Sequence, residues 1–176
     1  MRIARLGLAA VAIATAALAG CGKGTPSQAA EPTKHNAGAY DHVDVCALAT
    51  DDQLKDVLGE AVAAKTPKDD DSLKGCVVDG ESHRFYLFIT VRRSPAGGPE
   101  QFNYDRGAAA DPQKVNGIGF EAFSYGDTGE SHVEVLDGDL VVRVSFVFYT
   151  DGGSVSQGPE LTTRLATLTR HLVQRI

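Results

Sequence analysis

The sequence predicts an α+β domain, in which an antiparallel β-sheet is packed by an N-terminal and a C-terminal helix and carries one disulfide. Three patterns indicate this class. Residues 83–92 alternate in the manner of a strand, and Asp137-Gly138 separates two further alternating runs, which is a hairpin signal. Apolar residues at helical spacing lie near both ends of the domain, around Leu54 and Leu165.

Length and charge narrow the class of protein. The chain has 176 residues, with 17 Lys and Arg against 23 Asp and Glu. This length predicts one domain plus a tail. An acidic chain without a basic cluster argues against nucleic acid as a partner.

Residues 1–20 predict a lipoprotein signal peptide. A basic start precedes an uncharged apolar run over residues 6–18, which is short for a permanent membrane span. The run ends in Leu-Ala-Gly before Cys21, and this tetrapeptide resembles the lipobox of bacterial lipoproteins. The resemblance implies a diacylglyceryl thioether on Cys21 and cleavage before it. An ordinary signal peptide with an unmodified cysteine is the alternative.

Residues 21–40 predict a flexible tether, and residues 41–176 a single α+β domain. From Gly22 to Tyr40 the chain has no large aliphatic residue, so it cannot bury enough apolar surface to offset its ordering entropy. With lipid on Cys21, we expect the protein on the outer face of the bacterial cytoplasmic membrane, anchored there and facing the cell wall.

Cys46 and Cys76 predict a disulfide. The chain has three cysteines, and the assignment of one to lipid leaves an even pair in an oxidising compartment. The bond would close a loop of about 30 residues, worth about 3–4 kcal/mol in the chain-entropy model. A reactive thiol and a two-thiolate metal site are the alternatives, but neither has an evident base or further ligand.

The first half of the domain reads as helix, two strands and a short helix. Thr50-Asp51-Asp52-Gln53 fits a capping box, and Gly59 supplies the C-terminal stop. The first strand is expected around residues 75–79 and the second over residues 83–92. Pro99 begins a short helix that extends to about residue 109.

The second half reads as three strands and a helix. A strand over residues 121–125 follows a glycine-containing turn. Gly117–Ala122 superficially fits a dinucleotide-binding motif but lacks the required preceding strand and following helix, so we expect no cofactor there. The last helix begins near Pro159, and its buried stripe is Leu161, Leu165, Leu168, Leu172 and Val173.

The hairpin around Asp137-Gly138 carries the strongest candidate binding residues. With Leu136 paired to Asp139, His132 lies opposite Arg143 and Glu134 lies diagonal to it. His132, Glu134 and Arg143 therefore predict a polar cluster for a ligand or a general base, with ordinary cross-strand charge pairing as the alternative.

Known catalytic motifs are absent from the sequence. It has no nucleophile elbow, no His-Glu-x-x-His zinc motif and no phosphate-binding loop. We therefore expect no metal or catalytic residue, and a non-catalytic module that binds an envelope protein, a cell-wall component or a small ligand. An extracytoplasmic hydrolase with an unrecognised site and an accessory solute-binding subunit are the alternatives.

Several short motifs resemble those of a known group. They are the lipobox and tether, Val45-Cys46-Ala47-Leu48, the capping box, Cys76, and the glycine turn before Glu121. Together they resemble small actinobacterial lipoproteins grouped as a domain of unknown function. That resemblance covers most of residues 41–176 and implies an envelope location and this fold. It carries no catalytic residues to transfer.

Overall fold

The structure is a computed structural model that describes residues 37–94, 97–118, 120–127, 129–149 and 159–176. The predicted signal peptide, Cys21 and the predicted tether up to residue 36 lie outside these ranges. None of the described helices is long and apolar enough to cross a bilayer.

The fold is an α+β domain built on one antiparallel sheet. Its seven strands have the order β1-β2-β3-β7-β6-β5-β4, and each pairs antiparallel with its neighbours. The elements in chain order are α1 (Ala37–Tyr40), a 3₁₀ turn (Val45–Ala47), α2 (Asp51–Leu58), β1 (Val62–Asp69), β2 (Leu73–Gly80), β3 (Phe85–Arg93), α3 (Gly98–Ala108), β4 (Gln113–Lys114), β5 (Glu121–Asp127), β6 (Glu130–Asp137), β7 (Leu140–Phe148) and α4 (Pro159–Val173).

The main core lies between one face of the sheet, here called the inner face, and helices α2 and α4. Alternating positions of the central strands supply the sheet side, because successive side chains point to opposite faces. The predicted stripe of α4 supplies much of the helix side, and Leu161 is its one half-buried member. Fully buried members include Leu87, Ile89, Val91, Val133, Val135, Val142, Val144, Leu165 and Leu172.

Helix α2 confirms the predicted capping box. The Thr50 hydroxyl accepts a hydrogen bond from the Gln53 amide, and the Gln53 side chain accepts one from the Thr50 amide. Gly59 follows the last turn in the left-handed conformation, as a C-terminal stop requires. Leu54, Val57 and Leu58 are thereby directed into the core.

The predicted disulfide joins Cys46 and Cys76, whose Cα atoms are 5.1 Å apart. Cys46 lies in the 3₁₀ turn before α2, and Cys76 is fully buried in β2. The bond therefore fastens the start of the domain to the sheet.

Two strands were missed by the sequence prediction. β1 contains Lys65, Pro67 and Lys68 and is mostly exposed, so it lacks the apolar alternation of a half-buried strand. It forms a sheet edge, where lysine and proline discourage pairing with other chains. β4 is only two residues long and is defined by its pairing with β5.

The predicted register of the β6–β7 hairpin is wrong, because the two-residue turn begins one residue later than predicted. Asp137 pairs with Leu140, so the turn residues are Gly138 and Asp139 instead of Asp137 and Gly138. Gly138 has a φ of 60° and Asp139 does not have a positive φ, as expected for a type II′ turn with glycine first. Each residue keeps its face, but Glu134 now lies directly opposite Arg143.

His132 changes partner in the same way. It lies opposite Ser145, not Arg143 as predicted. The register therefore separates the three candidate residues into a Glu134–Arg143 pair and a His132–Ser145 pair in the next row of the sheet.

Helix α3 packs on the opposite face of the sheet, here called the outer face. Phe102 is fully buried against Phe123 and Val141. At Gly98 the helix approaches the β6–β7 turn so closely that a Cβ there would lie 2.6 Å from the Asp139 carbonyl carbon. The helix predicted from Pro99 is thus confirmed, and it gives the sheet a partial second layer.

Candidate functional site

The predicted site residues occupy two adjacent regions of the outer face. Glu134 and Arg143 lie beneath α3, whereas His132 lies beyond the helix, in the row that includes Tyr125 and Ser145. Helix α3 therefore covers one half of the outer face. The other half is here called the open half.

Beneath α3, Glu134 and Arg143 belong to a buried ion-pair network. Glu134 is fully buried, and its Oε2 accepts a hydrogen bond from Arg143 Nε at 2.5 Å. Arg143 Nη2 also donates to Asp105 Oδ2 at 3.0 Å, and Arg92 Nη1 donates to the same oxygen at 3.1 Å. Gln101 Nε2 donates to Asp105 Oδ1 at 2.8 Å. Asp105 of α3 thus binds two arginines of the sheet, and Gln101 of the same helix holds its other oxygen.

The second oxygen of Glu134 distinguishes this network from an ordinary ion pair. Glu134 Oε1 is buried and has no hydrogen-bond partner among the described residues. Burial raises the pKa of Glu134 to about 7. Asp105 adds to this increase, and Arg143 opposes it. A proton on Oε1 would let it donate to Asp105, because a protonated carboxyl gains a donor. Glu134 is therefore fully buried, whereas the Arg143 side chain is 22% exposed and binds α3 through Asp105.

In the next row, His132 links a hydroxyl to a carboxylate. Its Nδ1 lies 2.8 Å from Ser145 Oγ, and its Nε2 lies 3.1 Å from Glu130 Oε2. Tyr125 stacks on the imidazole with ring centroids 4.4 Å apart. His132 and Ser145 are both buried, at 7% and 5% exposure.

A serine, a histidine and a carboxylate in a chain invite comparison with a catalytic triad. A hydrolase also needs hydrogen-bond donors positioned for the developing oxyanion. Ser145 lies in a central strand and pairs with Phe88 on one side and His132 on the other, so nearby backbone amides belong to the sheet ladder. Because the hydroxyl is also buried, the arrangement positions side chains and does not present a nucleophile.

The open half is an aromatic surface between β2 and β5. Tyr86 and Tyr149 form a ring pair with centroids 4.7 Å apart, and Tyr149 is 54% exposed. The side chains between this pair and the Tyr125–His132 stack are buried or half-buried. The surface consists of Val77, Asp79, Tyr86, Phe88, Tyr125, Glu130, His132, Ser145, Val147 and Tyr149.

Carboxylates set the electrostatics of the open half. Tyr149 Oη donates to Asp79 Oδ1 at 3.0 Å. Burial, Glu130 and Asp79 together raise the pKa of Tyr86, while burial and Asp79 raise that of Tyr149. At Tyr125, burial raises the pKa, Glu134 and Asp105 add to that increase, and Arg143 and Arg92 oppose it. The Tyr86 side of the surface is therefore the acidic side.

Another concave feature lies between α2 and α4. Val57 and Leu168 form part of its lining, with Asp56, Arg164 and His171 around them. Arg164 is already engaged, since it donates to the Asp56 carbonyl and to Glu160. None of the residues predicted for a site lies in this groove.

Sequence reasoning missed Asp105, and with it the contacts that Arg92 and Gln101 make to Asp105. Their contacts depend on where α3 packs, and no local pattern encodes that position. Tyr86, Tyr125 and Tyr149 lie in predicted strands, and aromatic strand residues fit ordinary sheet packing equally well.

Fold and site together define a disulfide-bonded α+β domain that presents an acidic, aromatic sheet face. Searches against protein-family models, curated proteins and solved structures found no match. The resemblance to actinobacterial lipoproteins therefore stays a prediction.

Proposed function

We propose that this protein is a lipid-anchored extracytoplasmic binding module, non-catalytic, that engages an envelope partner through the open half of its outer face. The observation that carries the proposal is the half-exposed aromatic surface formed by the Tyr86–Tyr149 pair and its neighbours. Aromatic residues are enriched where proteins bind partners, because they combine large apolar area with polar atoms.

The place where the chain enters the domain supports this role. Tyr40 enters the domain against Arg93, whose guanidinium carbon is 4.8 Å from the ring centroid. Arg93 ends β3, whereas Tyr86 lies near its start, about 23 Å away at the usual rise per residue. The open half therefore lies at the end of the sheet opposite the point where the described chain enters the domain.

Lipid attachment is tested by growth of cells that express the full chain with an alkyne-bearing fatty acid. We expect label on the wild-type chain and none on the Cys21→Ala variant, which should leave the membrane fraction. Equal label on both chains, or none on the wild type, would contradict the anchor.

The binding surface is tested by a photo-crosslinking amino acid introduced into the full chain in cells. Position Tyr149 reports on the open half, and Tyr104 on α3 is a matched control because it is 71% exposed. We expect a defined adduct from Tyr149 and none of that size from Tyr104. Absence of adduct at Tyr149, or the same adduct at both positions, would refute the proposal.

A hydrolase is the second candidate, because Ser145, His132 and Glu130 form a continuous hydrogen-bonded chain. A fluorophosphonate probe, which labels activated serines, separates the two functions. We expect no label on the wild-type chain. Label that disappears in both Ser145→Ala and His132→Ala would favour the hydrolase.

A further inference from the structure

We propose that the open half binds a cationic segment of a partner polypeptide, with a Lys or Arg side chain over Val147 between the Tyr86–Tyr149 pair and Glu130. This inference rests on the proposed function, since it specifies the partner for the same surface.

The sheet register places the required groups in one row. Tyr86 pairs with Val147, and Val147 pairs with Glu130, so the three residues lie side by side on β3, β7 and β6. The backbones of Tyr86 and Glu130 are then about 10 Å apart at the usual strand spacing. The shorter valine lies between a ring pair and a carboxylate, where a cation can contact a ring face and an anion together.

The charges of this row select for a cation. The charged groups that raise the pKa of Tyr86 are the carboxylates of Glu130 and Asp79. Arg84, just before β3, is exposed, and its carbonyl accepts from the Tyr149 amide, so one cation lies in the neighbouring row against the two carboxylates. A phosphate or carboxylate ligand would therefore meet like charge, whereas an ammonium or guanidinium group would be attracted.

Hydrogen-bonding capacity points the same way. The Tyr149 hydroxyl already donates to Asp79, and the Ser145 hydroxyl is paired with His132. A carboxylate accepts several hydrogen bonds, so Asp79 can accept beyond its contact with Tyr149. Glu130 contacts His132, and its side chain is 44% exposed, which leaves its charge accessible to a cation. The Tyr86 hydroxyl can also donate, but the two carboxylates only accept, so a ligand contacts them through donors, and Lys and Arg side chains supply donors alone. Each hydroxyl of a neutral glycan accepts as well as donates, so a glycan matches these carboxylates less well.

The test uses the full chain in neutral detergent and two short peptides that alternate Gly with Arg or Gly with Gln. Tyrosine emission reports binding, because the chain contains five Tyr and no Trp. We expect the Arg peptide to bind and the Gln peptide not to bind. Asp79→Asn and Tyr149→Leu should each weaken binding about two- to fivefold, as expected for one exposed cation–π or charge contact.

The matched control is Asp71→Asn, which makes the same charge change at an exposed position beyond the other end of β2. It should leave affinity unchanged, and circular dichroism should show every variant folded. Equal weakening by Asp79→Asn and Asp71→Asn would reduce the effect to net charge and overturn the proposal. Equal binding of the Arg and Gln peptides, no binding of either peptide, or binding of neutral wall glycan alone would also overturn the proposal. If the Tyr149 crosslink still forms in those cases, only the partner chemistry fails and the proposed function stands.

Discussion

At the scale of single residues, Glu134 shows how burial and neighbouring charges set the behaviour of a carboxyl group. It is fully buried, contacts Arg143, and has one oxygen without a partner among the described residues. Arg143 favours the charged form, while burial and Asp105 favour the neutral form. Burial prevails, so the folded protein holds a proton that the unfolded chain releases at lower pH.

This imbalance predicts a pH-dependent stability. The pKa of Glu134 rises from 4.5 to about 7 on folding, so the stabilisation is complete below pH 4.5 and is lost as pH rises through 7. The free energy of unfolding should fall by up to about 3 kcal/mol across that window from this group. Chemical denaturation at several pH values measures it.

Glu134→Gln isolates the effect, because glutamine is neutral at every pH and can still accept from Arg143. We expect the difference in unfolding free energy between wild type and this variant to change with pH over the same window. Glu160→Gln, at an exposed ion pair, should retain the wild-type profile. A Glu134→Gln variant with an unchanged pH profile would show that Glu134 is ionised throughout.

Residue-level prediction from sequence succeeded where the signal was local. The Thr50 and Gln53 capping box and the Cys46–Cys76 bond follow from spacing and compartment. The ion-pair network around Glu134 could not be predicted in this way, because Asp105 joins it from a helix whose packing depends on distant contacts. Burial of Glu134 was likewise hidden, since a charged residue in an alternating strand is normally assigned to a solvated face.

At the scale of elements, the β6–β7 hairpin shows the limit of turn reasoning. The sequence Asp137-Gly138-Asp139 offers two adjacent two-residue turns, Asp-Gly and Gly-Asp. Both are compatible with hairpins and both keep the same residues on each face. The pattern of apolar residues therefore could not choose between them, although the choice decides that His132 faces Ser145.

Helix α3 is the element whose position depends most on a single close contact. At Gly98, an added Cβ would lie 2.6 Å from the backbone of Asp139, whereas at Gly107 it would meet nothing within 4 Å. Gly98→Ala should destabilise the protein by about 1–3 kcal/mol because the helix must shift. Gly107→Ala, the same change in the same helix, should be neutral or stabilising. Thermal unfolding of both variants provides the comparison, and equal melting temperatures would contradict this packing.

The edge strands were the hardest elements to predict. β1 carries Lys65, Pro67 and Lys68 in place of an apolar face, and β4 exists only through its pairing with β5. Propensity describes single segments, while both of these strands are stabilised by neighbours. The central strands were predicted because burial on a face imposes alternation directly on their sequences.

At the scale of the whole molecule, the disulfide ties the entry of the chain to the sheet across 30 residues. Its removal by Cys46→Ser together with Cys76→Ser should lower the free energy of unfolding by about 3–4 kcal/mol, if it acts mainly on the unfolded chain. Urea denaturation of the variant and of the reduced wild type should agree. An unchanged midpoint in both would show that the bond contributes nothing to stability.

Helix α3 divides the outer face of the sheet into a covered half and an open half. The half that α3 covers buries an ion-pair network, and the other half leaves aromatic rings partly exposed at the end of the sheet opposite Tyr40. The open half thereby exposes a packed ring pair, and aromatic groups are enriched at binding surfaces. The central claim is that this open half is occupied in the cell.

Hydroxyl-radical footprinting of the full chain tests that claim most directly, on intact cells and on the purified protein. Tyr149 and Tyr104 are both exposed aromatic residues and so are modified readily in the free protein. We expect Tyr149 to be protected in cells and Tyr104 to be modified equally in both samples. Equal modification of Tyr149 in both samples, or protection at Tyr104 alone, would contradict the assignment of the open half as the binding surface.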